Sequence, residues 1–353
     1  MPWPTPSLNW LLVFVPLSLV AEFVLHQPVA VFITSCIAIV PLAGLIGTAT
    51  EQLAERSGPM VGGLLNATFG NVTELIIGIL LVWADEFDVL KASLIGSILG
   101  NLVLVLGASY FAGGLRHRED GQRFDARAAR THSTSLLLAV AGMVMPAVFA
   151  VTQNESHMQD EAVSLVVAFV LISLYLSALA FTLFWGGGLG ERRGEVSGSV
   201  WSARRAVLVL LVTAVAVGIE SEILVRSLEP ALAVLHLPRI FVGLFVIAFI
   251  GNIAEHASAV TFALRNKMDI AIEIAFNSST QIAMLVAPVL VFVSLLAPAH
   301  MDFIFITTEV VAVTLATLIV AVITADGRSN WLEGAQLLGV YVILGASTYF
   351  VTR

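Results

Sequence analysis

Two glutamates and their neighbours carry the chemistry of this sequence. Glu74 closes the pentapeptide GNVTE and Glu255 closes GNIAE. Each lies in the middle part of an apolar run whose core contains no Lys or Arg. A charged side chain at the centre of a bilayer-spanning helix costs roughly 2.5–3.5 kcal/mol on insertion scales. Two such carboxylates at matching positions need a reason. One divalent cation between them cancels both charges, and so do two protons. The bare, doubly ionised pair is the expensive state, because like charges in a poorly solvated place repel. Such a site always holds either metal or protons, and each displaces the other. That is the logic of an exchanger. The cation is expected to be hard and oxygen-seeking, because the donors on offer are oxygens. The bland alternative is a pair of protonated, hydrogen-bonded structural carboxyls.

The flanking residues extend the donor set. Asn71 and Asn252 each precede their Glu by three residues, on the same helix face. Ser97 and Ser278 fall on the following apolar runs, with Asn101, Ser279 and Gln281 close by. The alternative for any of these amides and hydroxyls is hydrogen bonding between helices. Gly70 and Gly251, just before the Asn residues, allow a helix break that aims backbone carbonyls at an ion; close helix packing is the other reading. Glu51, Glu220 and Glu222 are candidate gating or pathway residues, as is His256. Each has a bland counterpart, an interfacial or Arg-paired carboxylate or a packed neutral imidazole. Glu22, Glu55, Glu273, Glu309 and Glu333 lie in or near apolar runs too. Asp85, Glu86 and Asp88 cluster at one mouth, where negative charge attracts cations.

The two glutamates belong to an internal repeat. Residues 61–74, VGGLLNATFGNVTE, align with 242–255, VGLFVIAFIGNIAE, at a constant offset of 181. The same offset carries Asp88 onto Asp269, Ser97 onto Ser278, Leu104 onto Leu285 and Val105 onto Val286. Asn101 and Gln281 are one residue out of this register.

The elements that position these residues follow from composition. Of 353 residues, 58% are hydrophobic and only 12% charged, half the usual charged share. Mean hydropathy is +0.95. So few charges cannot cover a soluble protein of this size, so the chain is expected to be an all-α polytopic membrane protein. A net charge of −8 with no basic stripe excludes nucleic-acid binding. The single cysteine, Cys36, excludes a disulfide framework. Runs of about 20 apolar residues give eleven expected spans, near 8–26, 28–52, 59–84, 89–112, 132–151, 161–185, 204–228, 239–264, 269–297, 303–325 and 331–351. MPWPTPSLNW has no positive charge ahead of its apolar stretch, so 8–26 is expected to stay as a helix. Thirteen of the 17 Lys and Arg fall on the N-terminal side of this arrangement. The positive-inside rule then places the N-terminus in the cytoplasm and the C-terminus outside. Span 3 pairs with span 8 and span 4 with span 9. Five spans separate each pair, so the two copies enter the membrane from opposite sides. The expected division is 1–27 as an extra helix, 28–185 as a first five-helix repeat, 186–203 as a Gly-rich cytoplasmic connector, and 204–353 as the inverted second repeat. Inverted repeats are typical of secondary transporters, with sites near the bilayer midplane.

At these residues the chain resembles the Ca2+/H+ antiporter (CAX) family of the Ca2+/cation antiporters. GGLLNATFGNVTELIIGI at 62–79 looks like its first signature; GNIAEHASAV at 251–260 and NKMDIAIEIAFNSSTQIA at 266–283 look like its second. TATEQLAERSGP at 48–59 and SNWLEGAQLLGVYVI at 329–343 are similar to further family segments. The resemblance covers most of the chain, in order. It implies eleven helices and proton-driven Ca2+ exchange, with Glu74 and Glu255 binding Ca2+ and protons alternately. It implies supporting roles for Asn71, Asn252, Ser97, Ser278 and Gln281, and makes spans 1 and 6 a sliding gate. Many members carry Gly where this chain has Asn277, and a long acidic connector where this one is short. No enzyme activity or resident cofactor is expected, Ca2+ being the transported substrate. The partners are Ca2+, H+, the lipid bilayer and a further copy of the chain. Compact loops and the resemblance point to a prokaryotic inner membrane, with an organelle membrane as the alternative. The competing functions are a Na+/Ca2+ exchanger, which needs further dedicated Na+ ligands, and a Ca2+ channel, which ignores pH gradients.

Overall fold

The structure, a computed structural model, describes residues 8–118, 121–152, 157–185 and 201–351. Most of the expected connector, 186–200, lies outside the described residues. The described chain is almost entirely helical; its only strands are Gln122–Arg123 and Arg328–Ser329, paired antiparallel.

Seven helices among the described residues are long and apolar enough to cross a bilayer: Pro28–Arg56, Phe87–Arg116, Ala126–Ala150, Glu161–Thr182, Ala203–Leu235, Met268–Ser294 and Thr307–Asp326. An eighth is broken: Arg239–Gly251 and Ile253–Leu264 meet at 64°. Leu138, Phe169, Leu208, Val322 and Val342 are each more than half exposed. Large apolar side chains facing outward on many long helices make this an integral membrane protein. The run expected as one span at 59–84 is instead two helices, Gly58–Phe69 and Val72–Trp83. Twelve residues each make about 18 Å of helix at 1.5 Å per residue, well short of a roughly 30 Å hydrocarbon core.

The chain divides into two compact units. The first comprises residues 1–80 and 199–238. Its axis is the pairing of helix Pro28–Arg56 with helix Ala203–Leu235. Leu42, Ile46 and Ala49 fall on one face of the former and pack with Leu210 and Val217 of the latter. Farther along, Val31 packs with Ile223 and Ala21, so the two helices run antiparallel. Their far end is fastened by polar bonds: the Trp201 amide donates to Gln52 Oε1 at 2.7 Å, and Arg56 Nε donates to the Trp201 carbonyl at 2.5 Å. Ser202 caps the helix by accepting from the Arg205 amide at 3.3 Å. The first described segment winds as 3-10 turns over Leu8–Val13, α-helix over Phe14–Val20 and π turns over Ala21–Leu25.

The second unit comprises residues 81–198 and 239–353. Its helices approach closely through glycine. A Cβ on Gly96 would lie 2.1 Å from the Leu244 carbonyl oxygen, and one on Gly243 would lie 2.5 Å from the Val89 carbonyl oxygen. Gly107, Gly114 and Gly334 likewise seat helix Trp331–Val351 against helix Leu106–Arg116. In lipid, apolar side chains gain little by leaving their surroundings, so close backbone packing through small residues takes over.

Local conformation recurs at the offset of 181 residues. Helix Phe87–Leu99 runs into π turns over Gly100–Val105, and helix Met268–Gln281 runs into π turns over Ile282–Val286. Asp85 and Asn266 both end their turns in the left-handed region, at φ 59° and 58°, a conformation that short polar side chains tolerate best. The helix starting at Val72 has its counterpart starting at Ile253.

Candidate cation site

In the first unit the chain breaks at Gly70–Asn71. Gly70 keeps an ordinary right-handed backbone, φ −58° and ψ −38°, and its amide donates to the Asn66 carbonyl at 2.8 Å. Glycine is therefore not used here for a positive φ. Past the break, the Leu75 amide donates to the Asn71 carbonyl at 3.0 Å. Asn71 and Thr73 are buried. Glu74 stands in the first turn of helix Val72–Trp83, with both carboxylate oxygens shielded from solvent.

In the second unit the break falls at Asn252, φ −99° and ψ 9°. Glu255 again stands in the first turn of the following helix, Ile253–Leu264. The sequence suggests carboxylates in mid-span. The breaks convert both positions into helix N-termini, where the partial positive charge of unpaired amides favours an anion. This eases the cost that makes the two residues conspicuous.

Around Asn252 the second unit gathers four of the expected donors. Asn252 Nδ2 donates to Ser97 Oγ at 2.9 Å and to the Ala248 carbonyl at 3.0 Å. Asn252 Oδ1 accepts from Ser278 Oγ at 3.3 Å and from Asn101 Nδ2 at 3.4 Å. Asn101 Nδ2 also donates to Ser278 Oγ at 2.9 Å. All four side chains are buried, Asn101 and Asn252 completely. The network leaves one oxygen over: Asn101 Oδ1 is buried and has no hydrogen-bond partner among the described residues. A buried amide oxygen without a donor is a strong ligand for a hard cation. The Asn252 amide, by contrast, is occupied in holding Ser97 and Ser278 together.

Asn101 lies inside a π stretch, whereas Gln281 ends helix Met268–Gln281 just before the corresponding one. The offset of 181 holds on both sides, at Ser97 and Ser278 and at Leu104 and Leu285, so Gln281 corresponds to Gly100 and the two amides are neighbours in register, not equivalents. Nothing in the sequence marks where the π turns fall. Gln281 is half buried, three residues beyond Ser278.

The remaining candidates separate by environment. His256 is buried; its ring stacks obliquely on Phe249 at 5.4 Å and its edge faces Gly100, where a Cβ would sit 3.7 Å away. Neither of its nitrogens has a hydrogen-bond partner among the described residues. Glu222 is exposed and paired with Arg226 at 2.5 Å, one helical turn on. Glu51 is exposed near the end of helix Pro28–Arg56. Glu220 is 1% exposed and meets Ser18. Of the acidic cluster at one mouth, Glu86 is bound by Arg239, while Asp85 and Asp88 are exposed. Asp269 accepts from the Asp125 amide at 2.7 Å, and Glu309 accepts from the Ile306 amide at 3.2 Å. Among the described residues no three His, Cys, Asp or Glu converge. The side chains that do converge are the amides and hydroxyls around Asn252, and such oxygen donors suit an alkaline-earth cation better than a soft metal.

The chain's relatives agree with this chemistry. It is 40% identical to the Ca(2+)/H(+) antiporter of Aphanothece halophytica over 358 residues, covering 96% of this chain and 95% of that one. It is 40% identical to the Ca(2+)/H(+) antiporter ChaA of Bacillus subtilis over 344 residues, covering 96% and 97%. The solved structure of native YfkE superposes with a TM-score of 0.86 at 37% identity, covering 97% of this chain and 99% of that one. The family described as "Sodium/calcium exchanger protein" matches residues 27–184 and 205–350. With most of its length inside those two matches, the chain belongs to the sodium/calcium exchanger protein family.

Proposed function

We propose that this protein is a secondary transporter, not an enzyme, that exports Ca2+ in exchange for H+ by alternating access. Glu74 and Glu255 bind Ca2+ and protons in turn. Asn101 and Gln281 add oxygen ligands, and Asn71, Asn252, Ser97 and Ser278 complete or brace the site. Eleven membrane-crossing segments, an extra first helix followed by two inverted five-helix repeats, place the N-terminus in the cytoplasm of a bacterial cell and the C-terminus outside. The connector 186–203 joins the repeats, and spans 1 and 6 move as the gate. The observation that carries the reading is the repeated local setting of the two glutamates: a Gly–Asn break, then Glu in the first turn of the next helix, 181 residues apart. The names of the full-length relatives supply the pair of ions.

The energetics are modest. Moving Ca2+ against a ~10^4 concentration ratio costs about 5.5 kcal/mol. Two protons descending one pH unit return about 2.7 kcal/mol. A third proton would draw on the membrane potential, at about 2.3 kcal/mol per 100 mV.

The test is Ca2+ uptake into proteoliposomes under an imposed pH gradient without Na+, for wild type, Glu74→Gln and Glu255→Gln. Uptake that follows the pH gradient and vanishes in both variants supports the assignment. Uptake that requires a Na+ gradient, or that survives either substitution, overturns it.

A further inference from the structure

Ser18, completely buried in helix Phe14–Val20, has its Oγ 2.7 Å from two oxygens at once: the Val15 carbonyl and Glu220 Oε1. A hydroxyl carries one proton and can serve one of these contacts. The other short oxygen–oxygen contact needs a proton from the partner. A carbonyl has none to give, but a carboxylic acid does. The arrangement that satisfies both contacts is a relay: Glu220 donates to Ser18 Oγ, and Ser18 Oγ donates to the Val15 carbonyl.

The surroundings point the same way. Glu220 Oε2 is buried and has no hydrogen-bond partner among the described residues. Ionised, it would be a bare anionic oxygen beside the apolar cluster of Ala21, Val31 and Ile223. Among the described residues of this unit no counter-charge faces it. On helix Ala203–Leu235, Arg226 is exposed and taken by Glu222, and Glu229 follows more than two turns later. On helix Pro28–Arg56 the titratable group at this level is the Cys36 thiol; Glu51, Glu55 and Arg56 sit at the opposite end, where Arg56 holds Trp201. On the first segment Glu22 follows Ser18 by about one turn, and His26 caps its end.

We propose that Glu220 is a further proton-binding carboxyl of the protein, distinct from Glu74 and Glu255, whose proton completes the hydrogen-bonded chain from helix Ala203–Leu235 through Ser18 to the Val15 carbonyl. With the proton present, one hydrogen-bonded chain joins Glu220, Ser18 and Val15. When it leaves, Ser18 Oγ can serve the carboxylate only by taking its one proton away from the Val15 carbonyl, and Glu220 Oε2 is left as a buried anionic oxygen. If the chain is the exchanger proposed above, this carboxyl is a proton site beyond the two that Ca2+ displaces.

Infrared spectroscopy of the full-length protein in lipid, Ca2+-free and at neutral pH, tests this without any transport measurement. The wild type is expected to show a carboxylic-acid C=O band that shifts in D2O and is lost in Glu220→Gln. That variant keeps the shape and an N–H donor toward Ser18, so the fold is retained. In Ser18→Ala the same band is expected to remain but to shift upward, as the acid loses its acceptor. If Glu220→Gln removes carboxylate bands instead, or if Ser18→Ala leaves the acid band unmoved, the proposal is wrong. A failed flux assay would leave this result standing, so the two readings can fail separately.

Discussion

Asn252 Nδ2 donates to Ser97 Oγ at 2.9 Å across the junction between a broken helix and its neighbour. Asn252 also receives Ser278 and Asn101, so one amide holds three polar side chains in place. The kink at Asn252 and the geometry of the donor cluster are therefore one feature. Asn252→Ala removes the hub and leaves several buried polar groups short of a partner, at a cost of about 1–3 kcal/mol. Ca2+ binding measured by calorimetry is expected to weaken roughly 5- to 150-fold. Ser97→Ala removes one peripheral bond and is expected to cost less. Equal effects from the two substitutions would contradict a network centred on Asn252.

Glycine spacing predicts where the fold is intolerant. In Gly96→Ala the new methyl carbon meets the Leu244 carbonyl oxygen, a backbone atom that no rotamer change removes. The helices must part, and overpacking of this kind costs about 1–3 kcal/mol or more. The variant is expected to lose most of its monodisperse peak in detergent size-exclusion chromatography. Gly44→Ala and Gly218→Ala are the controls: nothing lies within 4 Å of the position either new methyl would take, and alanine is the better helix former by up to about 1 kcal/mol. Both are expected to match or exceed the wild type in thermal stability.

The exposed ion pair predicts tolerance. Arg226 and Glu222 sit one turn apart, with side chains 69% and 51% exposed. Such a pair is worth about 0.3–0.5 kcal/mol. Glu222→Gln and Arg226→Gln are each expected to leave proton-driven Ca2+ uptake within about twofold of wild type. A large loss in both would give Glu222 a pathway role after all.

Orientation is open to labelling. Asp85 and Arg118 are both exposed, and the proposed topology puts them on opposite sides of the membrane. In a Cys36→Ser background, Asp85→Cys is expected to react with an impermeant maleimide applied to intact cells. Arg118→Cys is expected to react only after permeabilisation. Reversed accessibility would invert the topology, and equal accessibility would break the proposed span count between them.

Much of the architecture is written in local chemistry. Runs such as 28–52 and 269–297 are apolar over a length that lipid requires, and the structure turns them into helices Pro28–Arg56 and Met268–Ser294. The repeat at offset 181 is equally local, and it carries the matched positions of Glu74 and Glu255. The run at 59–84 is harder to read. A Gly–Asn pair permits a break but does not require one, and hydropathy averages straight across it. The π turns at Gly100–Val105 and Ile282–Val286 have no sequence signal, because their winding is set by neighbouring helices.

The division of labour follows from the range of the forces involved. By itself, the sequence determined a helical membrane protein and the two carboxylates that mark its candidate site, because bilayer thickness and the cost of intramembrane charge act on each segment alone. Only the tertiary structure decided that both glutamates begin a helix, that Asn252 joins Ser97 to Ser278, that Asn101 keeps a free oxygen, and that Ser18 stands between Val15 and Glu220. Each of these depends on which backbones approach within a few ångströms, as at Gly96 and Leu244. Such proximity is fixed by packing between residues far apart in the chain, and no local pattern encodes it.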